Sequence, residues 1–352
     1  MKNWQRLRQH PELLDQYLVR EQVYVGIRQF FTQQDFHEVE TPYLVAHPGT
    51  EPYLDFFSTQ INLQTDAKDL QKQLYLITSP ELQMKKLVVA GLTKVFQLGK
   101  SFRNHEGLSS FHNPEFTILE WYRSQANYTD IMTDCEQLMT HLIKMIRGGD
   151  GEELIYQNRK LEMSLPWLRI SVSAAFQKYA EIGQQTLLDE DLLRAAATKK
   201  GYAQAQTATW EEVYNQIFLN EIEPALAQLN RPIFVTDYPL SQAALSKKKT
   251  DDPRFAERFE LYLGGIELAN AFTELTDPIE NEQRAQADMR ERSRLGKPTY
   301  QFDEDYIQAL EIGLPPTGGI ALGVDRLIML LADVKSIQET MFFPMEDLIN
   351  LQ

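Results

Sequence analysis

The sequence predicts an α+β fold, an antiparallel sheet flanked by helices. Three observations predict it. A short apolar segment, 95–102, and an aromatic and β-branched segment, 116–122, are joined by a polar loop and read as paired strands. Gly264-Gly265 sits within 257–269 at the place where a two-residue turn would join two more strands. Apolar residues recur at helical spacing through 13–31 and 128–147.

Composition bounds the function. The chain has 352 residues, 43% hydrophobic and 24% charged, which suits a large globular protein. No apolar run reaches membrane-spanning length, and the N-terminus lacks the apolar core of a signal peptide. The single cysteine, Cys135, excludes an internal disulfide and a cysteine-based metal cluster. A cytoplasmic protein is expected. The net charge of −15 gives little general pull on a polyanion and argues against an extensive nucleic-acid footprint.

In chain order, Pro11 suits a first helical turn, and Leu13, Tyr17, Tyr24, Ile27 and Phe31 follow at helical spacings. Asp35 ends that helix; an aspartate can adopt the left-handed conformation at some cost. Residues 39–42 read as a strand closed by Pro42, 47–50 as a loop, 53–63 as a hairpin arm and 74–77 as a buried strand. Thr78-Ser79-Pro80-Glu81 matches a capping box opening a helix that stops at Gly91, so Glu81 is either a cap or a functional acid. Along 116–122, alternation puts Phe116, Ile118, Glu120 and Tyr122 on one face and Thr117, Leu119 and Trp121 on the other. Glu120 then lies among aromatic rings and needs a cation or hydrogen bonds. The preceding loop holds Arg103, His105, Glu106, His112, Asn113 and Glu115, either a polar hairpin tip or a set of phosphate- and amine-reading groups.

The 128–147 helix, with Leu138, Leu142, Met145 and Ile146 on one face, is broken by Gly148-Gly149-Asp150-Gly151. Residues 150–230 read as mostly helical, with a second capping box from Thr209 to Glu212, and 233–238 return to the sheet. Lys247-Lys248-Lys249 and Asp251-Asp252 read as a solvated loop. If Gly264-Gly265 turns a hairpin, Tyr262 pairs with Glu267, and Glu260 and Glu267 become diagonal neighbours on one face. Two such acids either face solvent or share a divalent cation, for which oxygen ligands suit magnesium. Asn270 and Glu274, four apart, share a side. Residues 318–323 form a small-residue strand that lets a ligand approach the backbone, then run into a helix burying Val324, Leu327, Leu330 and Leu331. Arg326 lies in its first turn, where the dipole disfavours a cation, so it needs an anion: Asp325 or a phosphate.

Four blocks carry a family resemblance. FRN followed by HNPEFTILEWY (102–122) resembles motif 2 of class II aminoacyl-tRNA synthetases in its lysyl version, and FHEVETPYL (36–44) resembles motif 1. GIELANAFTELTDP (265–278) resembles the lysine-pocket segment, and PPTGGIALGVDRLIML (315–330) resembles motif 3. Four blocks in order are far more specific than one motif, and together they cover nearly the whole chain. Only about thirty residues precede the first block, so no anticodon-binding domain is expected. In this the chain resembles the free-standing lysyl-tRNA synthetase paralogues that attach lysine to elongation factor P.

The resemblance implies one class II synthetase-type catalytic domain over 1–352, with 150–230 as a helical insertion between motifs 2 and 3. It implies a two-fold homodimer built from the first helix and the strand ending at Pro42. The implied activity is an AMP- and pyrophosphate-forming ligase that activates lysine or (R)-β-lysine with ATP and magnesium. It would then transfer the product to a lysine of elongation factor P, with tRNA an unlikely partner. Arg103 would hold the α-phosphate and the carboxylate, and Arg326 the far phosphates; these are the expected catalytic groups. Phe116 would stack on adenine and Asn113 read its edge, with Asn104, Leu268 and Gly323 nearby and magnesium on Glu260 and Glu267. Relatives read Arg-x-Glu where this chain has Arg103-Asn104-His105-Glu106, which leaves His105 or Glu106 for the acidic role near adenine. Ser79, Pro80 and Glu81 would face the amino acid, and Glu120, Tyr122, Asn270 and Glu274 its terminal ammonium. Ala321 stands where lysyl-tRNA synthetases usually have glycine, and its methyl narrows the amine end. Two further readings are a truncated synthetase charging tRNA-Lys and a non-catalytic paralogue that binds a lysine-like ligand. The intact Arg103, Glu120, Glu274 and Arg326 speak against the latter.

Overall fold

The computed structural model describes residues 1–64 and 69–349. Its centre is an eight-stranded sheet. In spatial order the strands are His37–Glu38, Lys94–Phe102, Glu115–Ser124, Thr317–Gly323, Ile266–Thr273, Phe255–Leu263, Ile233–Pro239 and Leu168–Ser171. The six inner strands pair antiparallel, while the short strand at each edge runs parallel to its neighbour. The expected α+β class and the antiparallel centre are therefore both present.

Alternation decides which face carries what. Leu119 and Trp121 point to the face covered by helices Leu14–Thr32, Tyr128–Arg147 and Val324–Ala332, where Phe31 packs against Phe96 and Trp121 at ring separations of 4.8 and 5.2 Å. Ile118, Glu120 and Tyr122 point the other way, into a concave face lined in part by helices Glu81–Val89 and Glu304–Gly313. A second apolar cluster joins the Ile233–Pro239 strand to helices Val172–Ala180 and Trp210–Ile217. The helix after Asn127 starts on its capping box, and that side chain accepts from the Thr129 and Asp130 amides. Asp35 takes the left-handed conformation expected of it, at φ 61°.

Local expectations fail in three places. Residues 39–42 are not a strand: only His37–Glu38 pairs, although the Val39 amide still donates to the Phe96 carbonyl and the Thr41 amide to the Gln97 side chain. The stretch after residue 150 opens with strands Glu153–Tyr156, Arg159–Glu162 and Leu168–Ser171 before turning helical, because its third strand completes the main sheet. The capping box at 78–81 does not form. Pro80 is the cap residue, and the Ser79 hydroxyl is used by Glu120. The box at Thr209 and Glu212 does form, with both reciprocal hydrogen bonds. Among the described residues no helix is long and apolar enough to cross a membrane.

Candidate active site

Two cavities lie side by side over the concave face and share Arg103, Ile118, Asn270 and Ala321. The first, about 220 Å³, is lined by Ser79, Glu81, Glu120, Tyr122, Glu274 and Gly319 among others. The second, about 320 Å³, is lined by Glu106, His112, Asn113, Phe116, Glu260, Glu267, Leu268, Gly323 and Arg326. Strand register creates this adjacency. Ala321 pairs with Glu120 on one side and Asn270 on the other, so three neighbouring strands deliver one floor.

The first cavity is a nest of carboxylates. Glu120 is fully buried and accepts from the Ser79 hydroxyl at 2.5 Å and the Tyr122 hydroxyl at 2.9 Å. Burial, reinforced by the charge of Glu81, nonetheless pushes its carboxyl up to about 8. Glu274 is also buried, and its Oε1 has no hydrogen-bond partner among the described residues. The Lys85 ammonium, itself fully buried, lies 2.5 Å from both Glu274 Oε2 and Glu81 Oε1. Burial pushes that ammonium down, but Glu274 and Glu81 more than offset it, so Lys85 keeps its proton. One ammonium shared by two acids does not cover the desolvation of Glu274, whose carboxyl is held up to about 8. The pocket is therefore short of positive charge, and a ligand bearing ammonium groups would supply it. Gly319 makes room for this: a Cβ there would collide with the Glu274 carboxylate and the Tyr122 ring.

The second cavity is short of negative charge at Arg103 and Arg326. Arg103 lies over the Phe116 ring at 5.1 Å, reaches Glu106 only at 3.3 Å, and its buried Nε has no partner among the described residues. Arg326 donates to the backbone carbonyls of Glu267 and Phe111 and to His112 Nε2 at 2.9 Å; its nearest carboxylate, Glu267, is 3.7 Å away. Burial and Arg326 lower the His112 pKa, so its neutral ring accepts from the guanidinium at Nε2 and donates its Nδ1–H to Ser109 Oγ. Asp325 is no partner for Arg326: it takes the Arg20 guanidinium at 2.7 Å and the Thr117 amide at 2.7 Å. That leaves an external anion as the group Arg326 awaits.

Glu260 and Glu267 meet in this cavity as the hairpin geometry required, with Tyr262 paired to Glu267. A bulge at Leu268 shifts the register beyond that pair, so Glu260 lies opposite Asn270. Burial and the charge of Glu260 push the Glu267 carboxyl up to about 7. Glu260 is already held by Arg258 Nη2 at 2.5 Å and the Tyr262 hydroxyl at 2.8 Å. Two partly buried acids sharing one cavity form an all-oxygen donor pair that fits a hard divalent cation such as magnesium. No cluster of three or more such ligands occurs among the described residues.

The structure separates some residues that the sequence groups together. Glu106, not His105, faces the cavity and Arg103. His105 is exposed, takes a left-handed backbone at φ 58° and pairs with Asp55. Asn104 donates its amide to the Asp55 carbonyl, and neither it nor Pro80 lines a cavity. Sequence reasoning missed Lys85 and Arg258. A lysine four residues after a glutamate reads as an ordinary exposed helix pair, and only the tertiary partner Glu274 marks it. Arg258 is packed at 4.2 Å over the Tyr238 ring and donates to both Asn270 and Glu260, tying the two cavities together.

Residues 2–347 match the family model described as tRNA synthetases class II (D, K and N). A lysine–tRNA ligase from Carboxydothermus hydrogenoformans is 36% identical over 336 residues, covering 96% of this chain and 66% of the relative. One from Magnetococcus marinus is 37% identical over 336 residues, covering 95% and 64%. One from Psychrobacter cryohalolentis is 39% identical over 340 residues, covering 94% and 62%. The chain thus spans just under two thirds of the length of these curated relatives.

Proposed function

The chain belongs to the class II tRNA synthetases (D, K and N), and from that premise we propose that it activates lysine or (R)-β-lysine with ATP. The observation that carries this reading is the join at Arg103. An ammonium-seeking carboxylate pocket opens there onto a cavity where Arg103 and Arg326 lack close anions. A substrate held by its ammonium groups at Glu120 and Glu274 presents its carboxylate toward Arg103. A carboxylate oxygen attacks the α-phosphorus of ATP, the bond to the bridging oxygen breaks, and pyrophosphate leaves. Arg103 and Arg326 offset the charge that builds on the phosphates, with His112 orienting Arg326. Magnesium held by Glu260 and Glu267 would add further charge neutralisation. A neutral side chain would leave buried acids unpaired, which is the basis of selection for lysine.

Two acceptors fit the second step, in which a nucleophile attacks the adenylate carbonyl and AMP departs. Relatives named lysine–tRNA ligase favour tRNA, and they give no support to the expectation that tRNA is an unlikely partner. A lysine of elongation factor P is favoured by Ala321, whose methyl sits between Glu120 and Asn270 and lines both cavities. The test is amino-acid-dependent exchange of pyrophosphate into ATP with either lysine isomer, followed by labelled transfer to tRNA-Lys or elongation factor P. Absence of exchange with both isomers would sink the activation reading; the labelled acceptor decides the second step. The same reading includes a two-fold dimer through the Leu14–Thr32 helix and the segment ending at Pro42, which sedimentation would test.

A further inference from the structure

We infer that Lys85 is a positioning residue that sets the pocket's charge count and so its preference for a substrate with two ammonium groups. The inference rests on the lysine-activation reading. Five acids line the first cavity, and two of them, Glu51 and Asp288, lie near Arg103 and Thr50. The other three feel the charge of Lys85: Glu81 from the helix that carries it, Glu120 from the Glu115–Ser124 strand, and Glu274 just beyond the Ile266–Thr273 strand. The Lys85 ammonium touches two of them at 2.5 Å each, which holds those two oxygens no more than about 5 Å apart, twice that distance. It lies 6.0 Å from the Tyr122 ring centroid, and the Tyr306 hydroxyl of the Glu304–Gly313 helix also faces it. No water-exposed route relaxes this group, because Lys85 has no accessible surface.

With those three acids ionised, one fixed ammonium leaves two negative charges around Lys85. A free diamino acid brings two ammonium groups, one beside its carboxylate and one at its far end. Its ammonium groups answer those two charges, while its carboxylate meets Arg103, which lines the same cavity. Removing Lys85 leaves Glu81 and Glu274 repelling each other across a few ångströms of desolvated space, where one acid takes up a proton and is lost as a receptor. Lys85 contacts no substrate atom in this scheme; it acts through the acids it holds.

The test uses the full chain with Lys85→Met and Lys85→Ala, following lysine-dependent pyrophosphate exchange, KM for lysine and for ATP, and the melting temperature. For Lys85→Met the lysine KM should rise at least tenfold at pH 7 and recover partly toward pH 9, with the ATP KM within twofold of the parent. Butylammonium should fill the space left in Lys85→Ala and restore its lysine KM saturably. It should not do so in Lys85→Met, whose side chain blocks the space. A folded Lys85→Met with the parental lysine KM and pH profile would overturn the inference. So would butylammonium rescue of melting temperature without rescue of KM, or failure of Lys85→Ala to fold even with the amine, since each marks Lys85 as scaffold alone. Failure of the parent to exchange pyrophosphate with either lysine isomer would instead overturn the activation reading, which keeps the two failures distinct.

Discussion

The two cavities solve opposite electrostatic problems by different means. At the amino-acid end the acids are locked before any ligand arrives: Ser79 and Tyr122 hold Glu120, and Lys85 holds Glu81 and Glu274. At the nucleotide end Arg103 and Arg326 are held by backbone carbonyls, a ring face and a neutral histidine, and their carboxylate contacts are long, at 3.3 and 3.7 Å, whereas Arg258 there is tightly paired with Glu260. Close internal pairing suits selection between similar side chains, because a misfit leaves an unpaired buried charge. Loosely paired arginines suit a triphosphate, whose charge is then met without first breaking a strong ion pair. The comparison makes claims about each end that mutation can separate.

The largest effect should come from the shared residue. Arg103→Ala removes an arginine that lines both cavities, and pyrophosphate exchange should fall by about 10²–10³-fold or more, as when a preorganised charge-stabilising donor is lost. Full exchange in that variant would remove Arg103 from the mechanism. Next, Gly319→Ala should damage the amino-acid end alone. The added methyl must displace the Glu274 carboxylate or the Tyr122 ring, an overpacking cost of about 1–3 kcal/mol before any loss of ligand contacts. Lysine KM should rise while the affinity for an ATP analogue, read by calorimetry, stays near the parental value. Glu274→Gln keeps the shape and removes a charge. Loss of one charged hydrogen-bond partner is worth about 1.5–3 kcal/mol, roughly 10- to 150-fold in lysine KM. Equal losses for lysine and ATP in either variant would erase the division between the two ends.

Part of each end was legible in the sequence, and the reason is geometric. Strand alternation alone put Ile118, Glu120 and Tyr122 on the concave face, and a Gly-Gly turn alone fixed Tyr262 against Glu267. Such signals are local. What stayed hidden depends on partners far along the chain. Glu267 and Asn270 are three apart, so simple alternation sends them to opposite faces; only the bulge at Leu268 brings both to the cavity. The capping box at 78–81 fails for a nearer reason: the Glu81 amide donates to the Ser79 hydroxyl and the Glu81 carboxylate accepts from Lys85. Lys85 is silent in sequence because Glu274 lies far beyond its own helix. At both ends the hidden part is what a bulge or a distant partner sets.

The smallest predicted effect bears on the amino-acid end without any mutation. The carboxyls of Glu120 and Glu274 stand at about 8 in the folded protein, pushed there chiefly by burial, whereas an unfolded glutamate titrates near 4.5. Between those values the folded state holds more protons than the unfolded one, so stability declines as pH rises. The contribution is complete below about 4.5 and is lost as pH passes through 8. The ligand-free protein should thus melt at a lower temperature at pH 8.5 than at pH 6.5, by about 2–4 °C, the scale on which roughly 1 kcal/mol registers in a large domain. Lysine reverses the sign of the problem. Its ammonium groups favour the ionised acids, so binding should release protons at pH 7, and lysine KM should fall as pH rises from 6.5 to 8.5. Added lysine should also raise the melting temperature more at pH 8.5 than at pH 6.5. The ATP analogue should show no such pH-graded stabilisation through these two acids, since neither lines the nucleotide cavity. Differential scanning fluorimetry across pH, with each ligand in turn, reads all of this. A lysine-induced shift that is flat across that range would mean the pocket's acids are already ionised and that the two ends do not differ as described.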